Sequence, residues 1–346
     1  VGLLEPVYPP HPWEPALRRI SERKRASVAG SLFLLRKIAP GSSDSISSLG
    51  HKFLDKMSVP APPPDPEFLS FIEREVPRVF RDGWDRAYSR RVQNCSVPTS
   101  ASAEVPRSQG GGRAALGGED GFVSLNAWAL GIEPIPSHLA TTAKVSVVRE
   151  GGKDRVVTVN SAIQRVLAPL HNTVYDHLSG KDWLLRGDAK PHHFKDFTLK
   201  PGEVIVSGDY ESATDNLSID TYEHILRCVA ATSSHIPQGV WQFAFSQSRL
   251  DLSFENRVVR QARGQLMGSL LSFPFLCLTN YLAFKYIIRR RVPLKINGDD
   301  IVFQATREEA DRWMEGVRKS GLVLSKGKTL VNRRVFSLNS TFFWAG

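Results

Sequence analysis

Two adjacent acids inside an apolar run constrain this chain more than any other feature. In "KINGDDIVF", residues 295–303, Asp299 and Asp300 stand between Leu294-Lys295-Ile296 and Ile301-Val302-Phe303. Strand interiors disfavour Asp, and neighbouring like charges repel, so something positive belongs beside them. Asn297-Gly298 is a strong hairpin signal; it puts the turn at Asn297-Gly298 and both acids at the tip, at or near the start of the second strand. "EVIVSGD" (203–209) is a separate short apolar run that ends in Asp209. If these strands are neighbours in one sheet, three carboxylates converge at one edge. Two Mg²⁺ ions roughly 3.5–4 Å apart would stabilise them together and form a site for in-line phosphoryl displacement. Mg²⁺ takes oxygen ligands and keeps waters and substrate phosphates in its remaining positions.

The charge balance agrees with a polyanionic partner. The 346 residues carry 45 Lys and Arg against 35 Asp and Glu, a net charge of +10, and nucleic acid is the commonest partner for such a surplus. Length alone suggests about two domains. Cys95, Cys228 and Cys277 are too few and too scattered for a disulfide framework or a zinc knuckle, which fits a reducing compartment such as cytosol, with an organelle not excluded. "GSLLSFPFLCLTNYLAFKYII" (268–288) is long enough to span a membrane. Its Ser269, Ser272, Thr279, Asn280, Lys285 and Pro274 instead predict a buried helix with a polar face. The chain opens on Val1 and stops at "FFWAG", as expected of a fragment.

Along the chain, residues 1–135 are the least informative. "RRISERKR" (18–25) is a basic cluster that suits either a solvated helix face or phosphate contacts. "SVPAPPPDPEF" (58–68) reads as an extended Pro-rich linker. "RSQGGGRAALGGEDG" (107–121) reads as a flexible loop and lacks the Gly-Lys-Ser/Thr ending of a phosphate-binding loop. From about residue 140 the pattern sharpens. "KVSVV" (144–148) and "RVVTV" (155–159) alternate like strands around "REGGKD", a hairpin signal. Residues 161–178, 217–230 and 307–321 carry helical spacing, the last closed by Gly321. "LVLS" after it reads as a strand.

"DYESATD" (209–215), "GQLMGSLLSFPFLCLTN" (264–280) and "NGDD" (297–300), in this order and spacing, resemble motifs A, B and C of viral RNA-directed RNA polymerases of positive-strand RNA viruses. The wording "SGDYESATDNL", "MGSLLSFP" and "INGDD" is most similar to the ourmia-like (botourmiavirus) group, with narnaviruses and leviviruses as relatives; the resemblance covers about residues 140–346. It implies an α+β right-hand polymerase fold of fingers and palm. A small antiparallel palm sheet would pack on helices, and the thumb would be largely missing. The division it implies is 1–135 N-terminal extension and fingers, 136–200 fingers with the basic hairpin of motif F, 201–232 palm with motif A, 233–262 a fingers insertion, and 263–346 palm with motifs B, C, D and the start of E.

The resemblance also implies roles. Asp209 and Asp299 would be the principal ligands of two Mg²⁺ ions, with Mn²⁺ as an alternative ion, and Asp300 an auxiliary or outer ligand. Asp215 would recognise the ribose 2′-hydroxyl of the incoming nucleotide; an N-cap on the helix beginning near Asn216 is the rival reading. Gly268 would let backbone approach nucleotide and template. Ser272 is the first candidate partner of Asp215 and Asn280 the second, because Leu276 occupies the place where picornavirus-like sequences carry the sugar-sensing Asn. In the motif F-like "REGGKDR" (149–155), Lys153 and Arg155 share one strand face and can point together at phosphates, with Arg149 assisting. In the motif D-like "GLVLSKGKT" (321–329), Lys328, with Lys326 in reserve, would protonate the leaving pyrophosphate. "FSLNSTFFW" (336–344) is similar to the segment supporting the primer strand. "LLRGDAKPHHF" (184–194) recurs in the ourmia-like pattern without a chemical role, and His192-His193 lacks a third metal ligand.

The implied partners are an RNA template, the product strand and ribonucleoside triphosphates, with no membrane span; the oligomeric state is left open. Two rivals remain at this level. A reverse transcriptase shares the acids but typically has an aromatic-x-Asp-Asp turn and a bulky residue against the 2′-hydroxyl. A polymerase-like relic would bind RNA without chemistry.

Overall fold

The structure, a computed structural model, describes residues 12–36, 45–150 and 153–345. The Gly151-Gly152 turn of the basic hairpin and the Lys153 side chain lie outside the described residues. Strands β1 (Thr142–Glu150) and β2 (Lys153–Asn160) form the expected antiparallel hairpin, with Val147 opposite Val156 and Val148 opposite Arg155. Strand β3 (Glu203–Gly208) follows the Pro191–Phe194 turn. Strands β4 (Asp251–Phe254) and β5 (Arg257–Arg260) make a second hairpin, and β4 adds in parallel to β1, giving a sheet in the order β2-β1-β4-β5.

Strands β6 (Leu294–Asn297), β7 (Asp300–Thr306) and β8 (Leu330–Asn332) join β3 in a second sheet, all antiparallel, in the order β6-β7-β3-β8. A last hairpin, β9 (Val335–Leu338) and β10 (Thr341–Trp344), stands beside it. Strand β7 reads as a continuous apolar run because the sheet is covered on both faces. Its odd side chains, Ile301, Phe303 and Ala305, enter the main core with the Ser272–Ile287 and Arg307–Gly316 helices. Phe303 lies 4.9 Å from Phe284 and 5.0 Å from Trp313, centroid to centroid. The even residue Val302 joins Ile205, Phe194, Phe197, Phe336 and Phe343 on the other face.

Residues before 135 are woven into the same core. The Pro66–Val79 helix, capped by Asp65, buries Phe68, Phe71, Ile72 and Val76. Both Phe68 and Phe71 pack on Tyr286. The Ile46–Met57 helix buries Leu54 and Met57 in a smaller cluster with Val145 and Leu252.

The structure corrects the sequence reading at four places. The register Asn297↔Asp300 makes Gly298-Asp299 the two turn residues, so Asp299 is in the turn and Asp300 begins β7. Residues 107–121 are not a loop: a short helical turn and the Gly111–Ala115 helix fill most of it, and the Glu119–Ala129 helix begins there. Their glycines mark the corners between these pieces. The 161–178 helix starts with a 3₁₀ stretch, Ala162–Leu167, before the α-helix Ala168–Ser179, because Pro169 lacks the N–H that an uninterrupted helix would use. "LVLS" is not a strand; among its residues only Leu324 bridges to Tyr210. Among the described residues, no helix is long and apolar enough to cross a membrane.

Trp313 is fully buried between Tyr210 and Phe303. Trp313→Ala is expected to lower the unfolding free energy by about 3–5 kcal/mol, read as a leftward shift of the urea denaturation curve.

Candidate active site

The second sheet brings the three acids to one end. Gly208 pairs with Ile301, so Asp209 leaves β3 beside the start of β7, where Asp300 sits one residue after the Gly298-Asp299 turn. Gly298 has φ +65 while Asp299 does not share the positive sign, the combination of a type II′ hairpin turn. A Cβ at Gly298 would also stand 2.9 Å from the Phe273 ring.

A buried polar frame holds this turn. Asn280 is fully buried, and its Nδ2 donates to the carbonyls of Gly298 at 3.2 Å and Asp299 at 2.9 Å. Its Oδ1 accepts the Tyr210 hydroxyl at 2.9 Å. The Gly298 N–H donates to Cys277 Sγ at 3.2 Å. Asp300 Oδ2 accepts the Asn339 N–H at 3.1 Å, tying the strand to the β9–β10 hairpin.

Charge accumulates here. Burial, with the Asp209 charge behind it, holds the Asp299 carboxyl above the usual carboxylate range, against the pull of Arg155. Burial, then Asp299 and Asp209, push Asp300 up to about 7. Burial and the Asp299 charge also raise the Tyr210 hydroxyl, and burial lifts the Cys277 thiol to about 12. Lys328 Nζ stands 3.9 Å from Asp209 Oδ2. Among the described residues, no group of three or more His, Cys, Asp and Glu side chains is gathered closely enough to hold a metal ion by itself. Crowded carboxylates with raised proton affinity nonetheless fit a divalent cation. Mg²⁺ binds through one or two carboxylates, leaving the other positions to water and phosphate.

An open cleft of about 970 Å³ adjoins the turn, bordered by Lys56, Arg155, Asp215, Gly268, Ser272 and Asp299 among others. Gly268 has φ +132, and a Cβ there would fall 2.0 Å from the Thr158 carbonyl oxygen. Strand β2 therefore lies directly against this loop, and the Thr158 N–H donates to Met267 O at 2.7 Å.

Residues 125–342 match the family model described as mitovirus RNA-dependent RNA polymerase. The chain belongs to this family. The RNA-dependent RNA polymerase of Ourmia melon virus (isolate Melon/Iran/VE9) is 29% identical over 391 aligned positions. That alignment takes in 92% of this chain and 44% of that protein, so the chain spans less than half the length of this relative. Among solved structures, the crystal structure of the RNA-dependent RNA polymerase of a human picorbirnavirus gives a TM-score of 0.64 at 14% identity, covering 96% of this chain and 69% of that one. An insertion-loop deletion mutant of that enzyme gives 0.61 at 15% identity, covering 96% of this chain and 70% of its own. The α+β fold with antiparallel sheets expected from the sequence is the fold of these viral polymerases.

Within this family member, the structure sorts the candidate residues. Asp209, Asp299 and Asp300 come together at one sheet end. Asp215, Gly268, Ser272 and Arg155 border the cleft, although the Ser272 hydroxyl donates to Leu266 O at 2.8 Å. Asn280 is not presented to the cleft; both sides of its amide are spent on the turn and Tyr210. Arg149 is directly opposite Asp154 and bonds it at 2.9 Å, on the hairpin face away from Arg155. Asp215 is the third residue of a four-residue helix whose N-cap position is Ser212, so it is not an N-cap. The His192 and His193 rings lie 4.1 Å apart, tilted at 54°, and among the described residues they gain no third ligand. Tyr210, Cys277, Asn339 and Lys56 were missed. Tyr210 follows a catalytic candidate directly and Cys277 lies in motif B, but no local pattern reveals what either touches.

Two predictions follow from this frame. Asn280→Leu leaves two turn carbonyls and the Tyr210 hydroxyl without their partner, so a loss of about 1–3 kcal/mol per stranded group is expected, measurable by thermal or urea unfolding. Asp300 rises from the usual 3.8 to about 7, so the folded, metal-free protein keeps a proton there that the unfolded chain releases. The Asp300 contribution to stability therefore falls as pH rises between about 4 and 7, while buried His171 and His177, held below the usual imidazole range, act the opposite way. In a chelator, going from pH 5 to pH 8 should therefore cost the parent more melting temperature, or gain it less, than it does Asp300→Asn. Added Mg²⁺ should raise the melting temperature at pH 8 more than at pH 5.

Proposed function

We propose that this chain carries the catalytic centre for RNA-templated RNA synthesis, joining ribonucleoside triphosphates to an RNA 3′-hydroxyl. The observation that carries the reading is the convergence of Asp209, Asp299 and Asp300 beside a cleft that also holds Asp215 and Arg155. Family membership supports the same reading. Asp209 and Asp299, with Asp300 behind them, would hold two divalent ions, Mg²⁺ or Mn²⁺. When bound, such ions activate the attacking hydroxyl and stabilise the leaving pyrophosphate.

The chain's own residues do the rest. Arg155, on the cleft face of β2, presents a fixed positive fork to a triphosphate, and Lys153, whose side chain is not described, belongs to the same strand face by alternation. Asp215 accepts the ribose 2′-hydroxyl, and Ser272 borders the same space. Lys328 rather than Lys326 supplies the proton to pyrophosphate, because its Nζ already reaches the carboxylate of Asp209. The frame of Asn280, Tyr210 and Cys277 keeps Asp299 from shifting as charge builds on the substrate. The partners in this reading are an RNA template, its product strand and ribonucleotides, which agrees with the net positive charge.

The decisive assay is primer extension on a short RNA duplex with a template overhang, with Mg²⁺ and ribonucleotides. Asp299→Asn should reduce the rate by more than the roughly 10²–10³ typical of losing one oxyanion donor. A variant of near-normal activity would sink the metal assignment, and a silent parent chain would sink the reading that this chain extends primers by itself, its family membership standing. Preference for deoxynucleotides would favour reverse transcription instead.

A further inference from the structure

The Ile46–Met57 helix is remote from the carboxylates in sequence, yet it borders the same cleft. Lys52 and Lys56 lie four residues apart, hence on one helix face, and both line the cleft with Asp215, Ser272 and Asp299. The Lys56 Nζ stands 3.4 Å from Asp215 Oδ2, across 159 positions of chain.

This meeting is built into the backbone. Ser45 caps the helix, its hydroxyl accepting the Ser48 N–H at 3.1 Å. Leu54 and Met57 are fully buried on either side of Lys56 in a cluster with Val145, Leu252 and Leu266. The Met57 carbonyl accepts the Ala262 N–H at 2.8 Å, while the Gln265 N–H donates to Thr214 O at 2.7 Å and the Gly264 N–H to Leu217 O at 2.8 Å. One short stretch, 262–265, is thus stitched to the residue after Lys56 and to the residue before Asp215. A Cβ on Gly264 would stand 2.8 Å from both Met57 Cε and Thr214 O, so the junction has no slack.

The pair is partly exposed, at 32% and 25% of the two side chains, and ion pairs of that kind add little stability. Position is what it supplies. The other partner of the Asp215 carboxylate among the described residues is the Thr214 hydroxyl, a weak contact at 3.4 Å. A carboxylate that must accept one sugar hydroxyl has to be held in a fixed orientation. The ammonium also offsets its charge in a cleft that receives a triphosphate.

We propose that Lys56 is a positioning residue for Asp215, so that the N-terminal segment takes part in choosing ribose over deoxyribose. This rests on the ribose role given to Asp215 above. The test is equilibrium titration of ATP and dATP, with Ca²⁺ as the divalent ion to block turnover, against the parent, Lys56→Met, Asp215→Ala and the double variant. The parent should prefer ATP. Lys56→Met should cut that preference about tenfold, the scale of one lost charge-assisted hydrogen bond, and should change nothing further in the Asp215→Ala background. An unchanged preference in Lys56→Met overturns the proposal. So does an equal weakening of ATP and dATP that persists without Asp215, which would make Lys56 a phosphate contact. A parent that binds both nucleotides alike overturns it together with the ribose role of Asp215. Because binding is read without turnover, a parent that discriminates but does not extend primers would uphold this inference and count against the polymerase reading alone.

Discussion

Mutual repulsion among Asp209, Asp299 and Asp300 is the constraint around which the rest of the molecule is arranged. Burial first, and then the Asp209 charge, raise the proton affinity of Asp299, and burial followed by the charges of Asp299 and Asp209 raises that of Asp300. An unsupported hairpin tip would relieve the repulsion by moving apart. Here the turn is held through its backbone rather than its side chains: Asn280 takes two carbonyls, Cys277 takes one N–H, and Tyr210 closes the far side of Asn280. A satisfied polar network in a dry interior is stiff, and leaving one member out strands the others. Covering the sheet on both faces is what makes that interior dry. Asp299 is therefore left lining the cleft, with Asp209 and Asp300 beside it at the same sheet end.

The same economy joins the two sheets. Strand β2 carries Arg155 and also touches the loop at Gly268, where no side chain would fit against Thr158. Two bonds from Thr158 to the Met267 carbonyl, at 2.7 and 3.0 Å, fix that loop to the hairpin. The strand proposed to face phosphate and the loop proposed to face the sugar are consequently parts of one packed unit. Their separation is set by backbone contact, which resists change more than an exposed side-chain contact would.

Much of this architecture was legible in local pattern. Asn297-Gly298 marked the hairpin, the apolar run before Asp209 marked its neighbour, and the alternation of 144–148 with 155–159 marked β1 and β2. What local pattern does not fix is register: the turn lies one residue later than the dipeptide signal indicates, because Gly rather than Asn occupies the position of positive φ. Composition misled at 107–121, where glycines serve as corners between short helices. A loop and a chain of tight helical turns have the same residue content. The largest gap concerns long-range partners. Asn280 looked like a cleft residue by resemblance, as a second candidate partner of Asp215, whereas its side chain is buried with three bonds made to the turn and Tyr210. Lys56 carried no signal at all, since its meaning depends on a carboxylate 159 positions away.

The segment after the last helix shows why the two lysines there differ. The Ser325 N–H donates to the Asp209 carbonyl at 2.8 Å, and the Lys328 N–H donates to Ser325 O at 3.1 Å. The Thr329 hydroxyl donates to Ser325 O at 2.8 Å and accepts the Asp209 N–H at 3.5 Å. The turn from 325 to 329 is thus hung on the backbone of the very residue whose carboxylate Lys328 approaches. Lys326 belongs to the same turn, yet no ion pair ties it to that carboxylate among the described residues. An ammonium so placed offsets the charge of one of the crowded carboxylates. A divalent cation at Asp209 would compete with Lys328 for the same oxygen, and the ammonium, on a flexible stem, would be freed toward the nearest new negative charge. In the proposed reaction that charge is the departing pyrophosphate. The interaction that steadies the acids at rest would then deliver the proton donor when it is needed.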